Sequence, residues 1–192
     1  MERRILETAD RLLYSRGIRA VGVDTIAAEI GISKRTLYNY FPSKDTLITA
    51  YLARRAGSVG SSDRPPLEQI LRTFDWLERW FAREDFRGCP FVNAVAELGE
   101  PAHPAAQISL KFKEKRRRWF RDMLTQLGAA DPDGLASQLA ILVEGAIASA
   151  LVRGDPSVAQ AAKAAARVLL ANAGVIGAAD APARSGREAQ GD

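Results

Sequence analysis

The chain is poor in the residues that most catalytic and metal chemistry needs, with one cysteine and one histidine in 192 residues. The lone Cys89 excludes an intramolecular disulfide and any cysteine-based zinc site. The lone His103 removes the histidine pairs that hold catalytic metals, and most imidazole-dependent catalysis. A glycine-rich phosphate loop after a strand and a Gly-x-Ser-x-Gly elbow are both missing. Spacing alone assigns no acid–base pair among Asp85, Glu97, Glu100 and Glu144. An enzyme is therefore not expected, nor is a cofactor or a metal. No apolar run reaches the roughly 18 residues of a membrane-spanning helix, and no apolar segment follows Met1 as a signal peptide would require. The expected compartment is the cytoplasm, with no membrane partner. Neither a strand pattern nor an internal repeat is visible.

What is present is helical. Hydrophobic content of 47% and charged content of 26% are ordinary for a soluble globular protein, and the net charge of +4 suits an anionic partner. The chain has room for one large or two small domains. The stretch TIAAEIGISKRTLYNYFPSK, from Thr25 to Lys44, reads as two short helices joined by a tight turn. Ile26, Ala27 and Ile30 make one apolar face, and Gly31 permits the left-handed backbone that ends a helix. Ser33 suits the N-cap of the second helix, whose buried side is Leu37, Tyr40 and Phe41 and whose stop is Pro42. Lys34, Arg35, Thr36, Tyr38 and Asn39 are left for solvent. That cationic, hydroxylated and amide-bearing set suits phosphate and base-edge contact. Ahead of it, Ile5, Leu6, Ala9, Leu12 and Leu13 predict an amphipathic helix over residues 3–15, closed by Arg16-Gly17. Asp24 or Thr25 is expected to cap the next helix.

A helix ending in Arg-Gly, then Val-Asp-Thr-Ile-Ala, Gly-Ile-Ser, Thr-Leu-Tyr-Asn-Tyr-Phe and Ser-Lys-Asp-Thr-Leu, resembles the DNA-binding domain of the tetracycline-repressor (TetR) family of bacterial transcription regulators. The match runs from Ile5 to Tyr51, and the rest of the chain is similar in layout only. The resemblance implies an all-α fold of about nine helices: a three-helix helix-turn-helix domain and a larger helical domain for ligand binding and dimerisation. The composition then divides the chain into a first domain at residues 1–54 with a connecting helix near 43–55, a second at 64–176, and a small, polar and charged tail at 177–192 expected to be disordered. Residue by residue, Thr25 resembles the family's backbone-phosphate contact. Lys34, Arg35, Thr36, Tyr38, Asn39 and Tyr40 match recognition-helix positions that meet DNA, with Ser33 at their start, and Lys44 matches a phosphate-binding lysine. The family often has a smaller residue where Arg35 stands, so this arginine either reads a base or holds phosphate. Tyr40 is either a packing residue or a phosphate contact.

The remainder is read as five helices. Gly, Ser and Pro over residues 57–66 mark a flexible loop, with the domain boundary within 54–63. Pro65-Pro66 open a helix to about residue 83 that is apolar on two sides and so is expected at the centre of its domain. Trp76 and Trp80 on its second side are core or the wall of a ligand pocket. FRGCPFVNAVAEL opens another helix, with Cys89 near its start and Arg87 nearby. Cys89 is either a small buried hydrophobe or, with a lowered thiol pKa, a sensor of oxidants or electrophiles. A long basic helix spans residues 105–127, where Lys111, Lys113, Lys115, Arg116, Arg117, Arg118 and Arg121 make a solvated face or a second DNA site; His103 lies in the break before it, as a loop or pocket-rim residue. The predicted pocket residues are Trp76, Trp80, Cys89, Phe91, Asn93, Glu97, Phe112, Arg116, Trp119, Phe120, Met123 and Glu144, a mixture suited to a lipophilic or aromatic ligand with few polar handles. Asp131-Pro132 and Asp155-Pro156 open two final helices. The resemblance makes these a four-helix bundle with a second copy, through Leu135, Leu139, Leu142, Ile147, Val158, Ala161, Ala165, Val168 and Leu169; packing within one subunit is the alternative. The implied partners are operator DNA, a second subunit and a small molecule. The implied function is a repressor released from a pseudo-palindromic operator, with a helical protein-interaction module as the alternative.

Overall fold

The computed structural model describes residues 1–57 and 62–177, so the predicted tail from residue 178 onward and the middle of the predicted loop lie outside the described residues. Among the described residues there are nine α-helices and no strand. They are α1 (Glu2–Arg16), α2 (Val23–Ile30), α3 (Lys34–Tyr40), α4 (Lys44–Arg55), α5 (Pro66–Phe81), α6 (Pro90–Leu98), α7 (Pro104–Gln126), α8 (Pro132–Arg153) and α9 (Val158–Asn172). The fold class expected from sequence is the fold observed.

Helices α1 to α4 close around Ile5, Leu12, Ile26, Leu37, Leu47 and Leu52, all without solvent exposure. Each such side chain contributes roughly 1.5–3 kcal/mol of burial. Helix α2 begins earlier than expected. Its N-cap is Gly22 with no side-chain cap, and Asp24 lies in the first turn, where its carboxylate complements the helix dipole. The α2–α3 turn works as read: Gly31 has φ 77° and ψ 36°, and Ser33 Oγ accepts the Thr36 N–H at 3.0 Å. Ser43 caps α4 in a reciprocal capping box with Thr46.

Helices α5 and α7 to α9 pack around Phe74, Leu77, Phe120, Leu124, Leu139 and Val143, again without exposure. Helix α5 packs on α7, α8 and α9, as expected of a central helix. Helix α6 starts at Pro90, so Phe86 and Arg87 lie in the loop before it. Helix α7 is seated against α4 as well as α8 and so joins the two halves. Helix α8 is long and apolar enough, by length and composition, to cross a membrane, although Glu144 interrupts its apolar run. One side of it packs on α5, α7 and α9, and Glu144 in its middle pairs with Lys113 and Arg116 of α7.

Candidate nucleic-acid interface and the domain it hangs from

Helix α3 buries Leu37 completely and turns its remaining side chains outward. Lys34, Arg35, Tyr38, Asn39 and Tyr40 are exposed and Thr36 is half-buried. Tyr40 was expected on the buried side, but it is 45% exposed. Leu37 and Phe41 occupy the core here, and Tyr40, the last residue of α3, is left in solvent beside them. Arg35 has no hydrogen bond or ion pair among the described residues. Lys34 is not free in the same way. Its ammonium lies 3.0 Å from Asp24 Oδ2 of α2, which raises the lysine pKa through that hydrogen bond and then the charge attraction. Thr25 is exposed on the first turn of α2 and Lys44 is half-buried at the start of α4. The Lys34–Asp24 contact joins the start of α3 to the first turn of α2, where Thr25 also lies.

Side chains that spacing could not have paired hold this unit to the second half. Tyr14 Oη of α1 donates to Gly88 O at 3.0 Å and accepts the Arg87 N–H at 2.9 Å, beyond the end of α5. Burial raises the Tyr14 phenol above its ordinary pKa, against opposing pulls from that N–H and from Arg55. The Arg55 guanidinium lies 4.0 Å above the Tyr14 ring centre and donates to both Asp10 oxygens, at 2.5 and 2.9 Å. Burial raises the Tyr51 phenol in the same cluster. At the next junction Glu97 Oε2 accepts the Arg19 N–H at 2.9 Å, and the Arg19 guanidinium donates to Leu98 O at 3.3 Å. Finally, His103 Nδ1 caps α7 by accepting the Ala105 N–H at 3.0 Å. Its buried Nε2 has no hydrogen-bond partner and lies 3.5 Å from Asp45 Oδ1 on α4. His103 was expected in a loop or at a pocket rim. It is instead a helix cap at the junction of the two halves.

Most of the predicted pocket residues are engaged with other parts of the chain among the described residues. Glu97 is taken by Arg19, and the Asn93 amide donates to Arg87 O at 2.8 Å. Trp76 is 48% exposed and stacks on Trp80 at 5.1 Å, whose edge meets Phe86. Phe120 is fully buried, and Phe91 is stacked on Phe112 at 4.0 Å, so both are packing. Met123 is half-buried against the core. Cys89 is 5% exposed. Arg87, expected beside the thiol, donates to Glu84 O and Phe86 O. Lys113 Nζ takes that place, 3.2 Å from the sulfur, and also pairs with Glu144. Arg116 lies 3.3 Å from Glu144 and 5.0 Å from the Phe112 ring centre. Phe112 and Trp119 do line clefts on the surface of α7.

The predicted subunit seam also needs correction. Leu135, Leu139 and Ile147 are buried within this subunit, because they point at α5, α7 and α9. Leu142, Val158, Ala165 and Leu169 are half-buried; Ala161 and Val168 are exposed. The outer side of α8, absent from the predicted seam, leaves Ile141 69% and Val152 86% exposed, with Gly145 and Ala148 exposed between them. The spacing of these four residues, four, three and four, is visible in the sequence, but α8 is apolar all round and gives no sign of which stripe faces inward.

Residues 5–51 match the family model for bacterial regulatory proteins of the tetR family, and residues 92–172 match a tetracyclin repressor-like C-terminal domain. The HTH-type transcriptional regulator EthR of Mycolicibacterium smegmatis is 42% identical over 180 residues, covering 82% of this chain and 78% of its own length. A putative TetR regulator of known structure from Streptomyces avermitilis is 33% identical, with a TM-score of 0.80 over 90% of this chain and 97% of that one. A TetR-family regulator from Streptomyces coelicolor gives 32% and 0.81, over 89% and 94%. The helix-turn-helix edge, the helical second half and these relatives agree: the chain belongs to the tetracycline-repressor family of helix-turn-helix, DNA-binding transcriptional regulators.

Proposed function

We propose that this regulator is a cytoplasmic homodimer that represses transcription from a pseudo-palindromic operator and is released by a small molecule bound in its second half. The observation that carries this reading is the exposed edge on α3. Arg35, Tyr38, Asn39 and Tyr40 stand clear of the core, while Leu37 and the Ser33 cap hold the helix rigid behind them. Arg35 and Lys34 supply phosphate or base contacts, and Thr25 and Lys44 grip phosphates on either side. Two copies are joined through the outer stripe of α8 and the exposed side of α9, Ala161 and Val168, which bury an apolar surface that one subunit leaves in water. Small residues at Gly145, Ala148 and Ala161 let the helices approach closely.

A dimer of this kind sets its two recognition helices in successive major grooves. A ligand shifts that spacing only if it binds the released arrangement more tightly. The junction residues Tyr14, Arg19, Glu97, His103 and Asp45 carry the movement between halves. The test is selection of bound DNA from a random pool, followed by release of the selected operator with a compound library. Enrichment of an inverted repeat supports the reading. Enrichment of no sequence favours the protein-interaction module.

A further inference from the structure

Helix α7 treats its cations in two ways. Lys113 and Arg116 are matched to Glu144, Arg117 to Asp133 and Glu114, and Arg121 to Asp122. Lys111, Lys115 and Arg118 have no carboxylate partner among the described residues. Their spacing of four and three residues puts them on one side of the helix. That side borders a cleft of about 390 Å³ between the last turn of α4 and α7, a volume within the ordinary range for small-molecule sites. Ala53 and Ala56 of α4 form one wall and Ile108 and Phe112 of α7 the other. Lys111 and Lys115 rim it, and among the described residues no carboxylate lines it. Lys115 Nζ reaches across to Gly57 O at 3.1 Å, so the rim is already drawn over the gap.

We propose that this cleft takes a small organic anion with an apolar body, a carboxylate carried on an alkyl or aryl tail, and that this anion is the effector. The inference rests on the ligand-released repressor proposed above and names the chemical class and the site. The apolar walls remove the tail from water. The two ammonium groups meet a headgroup that no protein carboxylate forestalls. A cation is repelled, and a neutral head offers neither ammonium group a counter-charge. The wall formed by α4 links the cleft to the DNA edge. The same helix carries Ala53 in its last turn, Ala56 as its C-cap and Lys44 in its first turn, so a tail that parts α4 from α7 moves Lys44 with it.

The test is calorimetric titration of the full chain with octanoate and with 1-octanol. Octanoate should bind about tenfold more tightly than octanol, as expected of two partly screened charge contacts. The double variant Lys111→Gln/Lys115→Gln should lower octanoate to the octanol level and leave octanol unchanged. Equal binding of the two compounds by the natural chain, or unchanged octanoate binding by the double variant, overturns the anion site. Ala56→Leu fills the cleft and should weaken both compounds in a protein with intact circular dichroism; unchanged binding would put the ligand elsewhere and overturn the assignment. Octanoate should also release the selected operator from the natural chain and not from the double variant. If neutral compounds release DNA and octanoate does not, ligand-released repression stands and the anionic effector falls. If octanoate binds through the two lysines but no compound releases DNA, the anion site stands and ligand-released repression falls. Weaker operator binding by the double variant without octanoate would make the lysines a second DNA contact and overturn the proposal.

Discussion

Glu97 of α6 accepts the backbone N–H of Arg19 at 2.9 Å, 78 positions earlier in the chain. The contact depends on Gly17. Its φ of +95° belongs to the left-handed region, and a Cβ there would lie 3.0 Å from Glu97 Oε2. Gly17→Ala therefore meets both backbone strain and a carboxylate in its path. We expect a loss of about 1–3 kcal/mol, read as a fall of roughly 2–4 °C in Tm per kcal/mol for a chain of this size. Pairing it with Glu97→Ala should recover part of the loss, because the carboxylate is then gone. Full additivity of the two losses would show that the contact contributes nothing.

Lys44→Ala should weaken binding to every DNA sequence alike and make the salt dependence shallower by about one unit in log–log slope. Arg35→Ala separates two roles. Altered sequence preference at one operator position means base readout, and a uniform loss of affinity means phosphate contact. Quantitative mobility shifts across salt concentrations, with single-base operator variants, decide both.

Leu37 is fully buried beneath the recognition helix. Leu37→Ala should cost about 2–5 kcal/mol and unfold or loosen the DNA-binding half while removing no DNA contact. Tyr40→Ala, at an exposed position, should leave stability within about 0.5 kcal/mol. A large stability loss in Tyr40→Ala would put this side chain back in the core.

On the outer stripe of α8, Ile141→Glu should leave the subunit folded, since that side chain already meets solvent, and convert a dimer to a monomer on gel filtration at low micromolar concentration. Leu139→Glu should instead unfold the subunit, because that residue has no exposure. A monomeric elution of the unmodified chain, or an unchanged elution of Ile141→Glu, would defeat the proposed seam.

Tyr14 and Tyr51 are held neutral by burial in the folded chain. In the unfolded chain both phenols ionise near pH 10. Stability from keeping them neutral is complete below that value and is lost as pH rises toward their higher folded values. The unfolding free energy should then fall by up to about 1.4 kcal/mol per pH unit for each tyrosine. Tyr14→Phe should flatten this alkaline slope, although it loses the hydrogen bonds to Gly88 and Arg87. An unchanged slope in Tyr14→Phe would mean that the hydroxyl titrates normally.

The sequence by itself determined the helix-turn-helix and the order of the helices. Those features rest on local rules: apolar spacing, Gly31 at the turn, Ser33 and Ser43 as caps, and proline in the first turns of α5 to α8. Each rule involves residues within a few positions of one another, so it can be read before any packing is known. Tertiary structure alone decided what the second half does with its side chains. Trp76 and Phe120 suit a pocket wall equally well on paper; one meets solvent and the other is sealed in the core. Glu97 looked like a polar handle for a ligand and proved to be half of a junction with Arg19. Leu139 and Ile141 are two places apart on an apolar helix, and packing turned one inward and left the other in water. Such choices depend on which helices approach which faces. That is set by contacts between residues dozens of positions apart, for which neither periodicity nor spacing carries a signal.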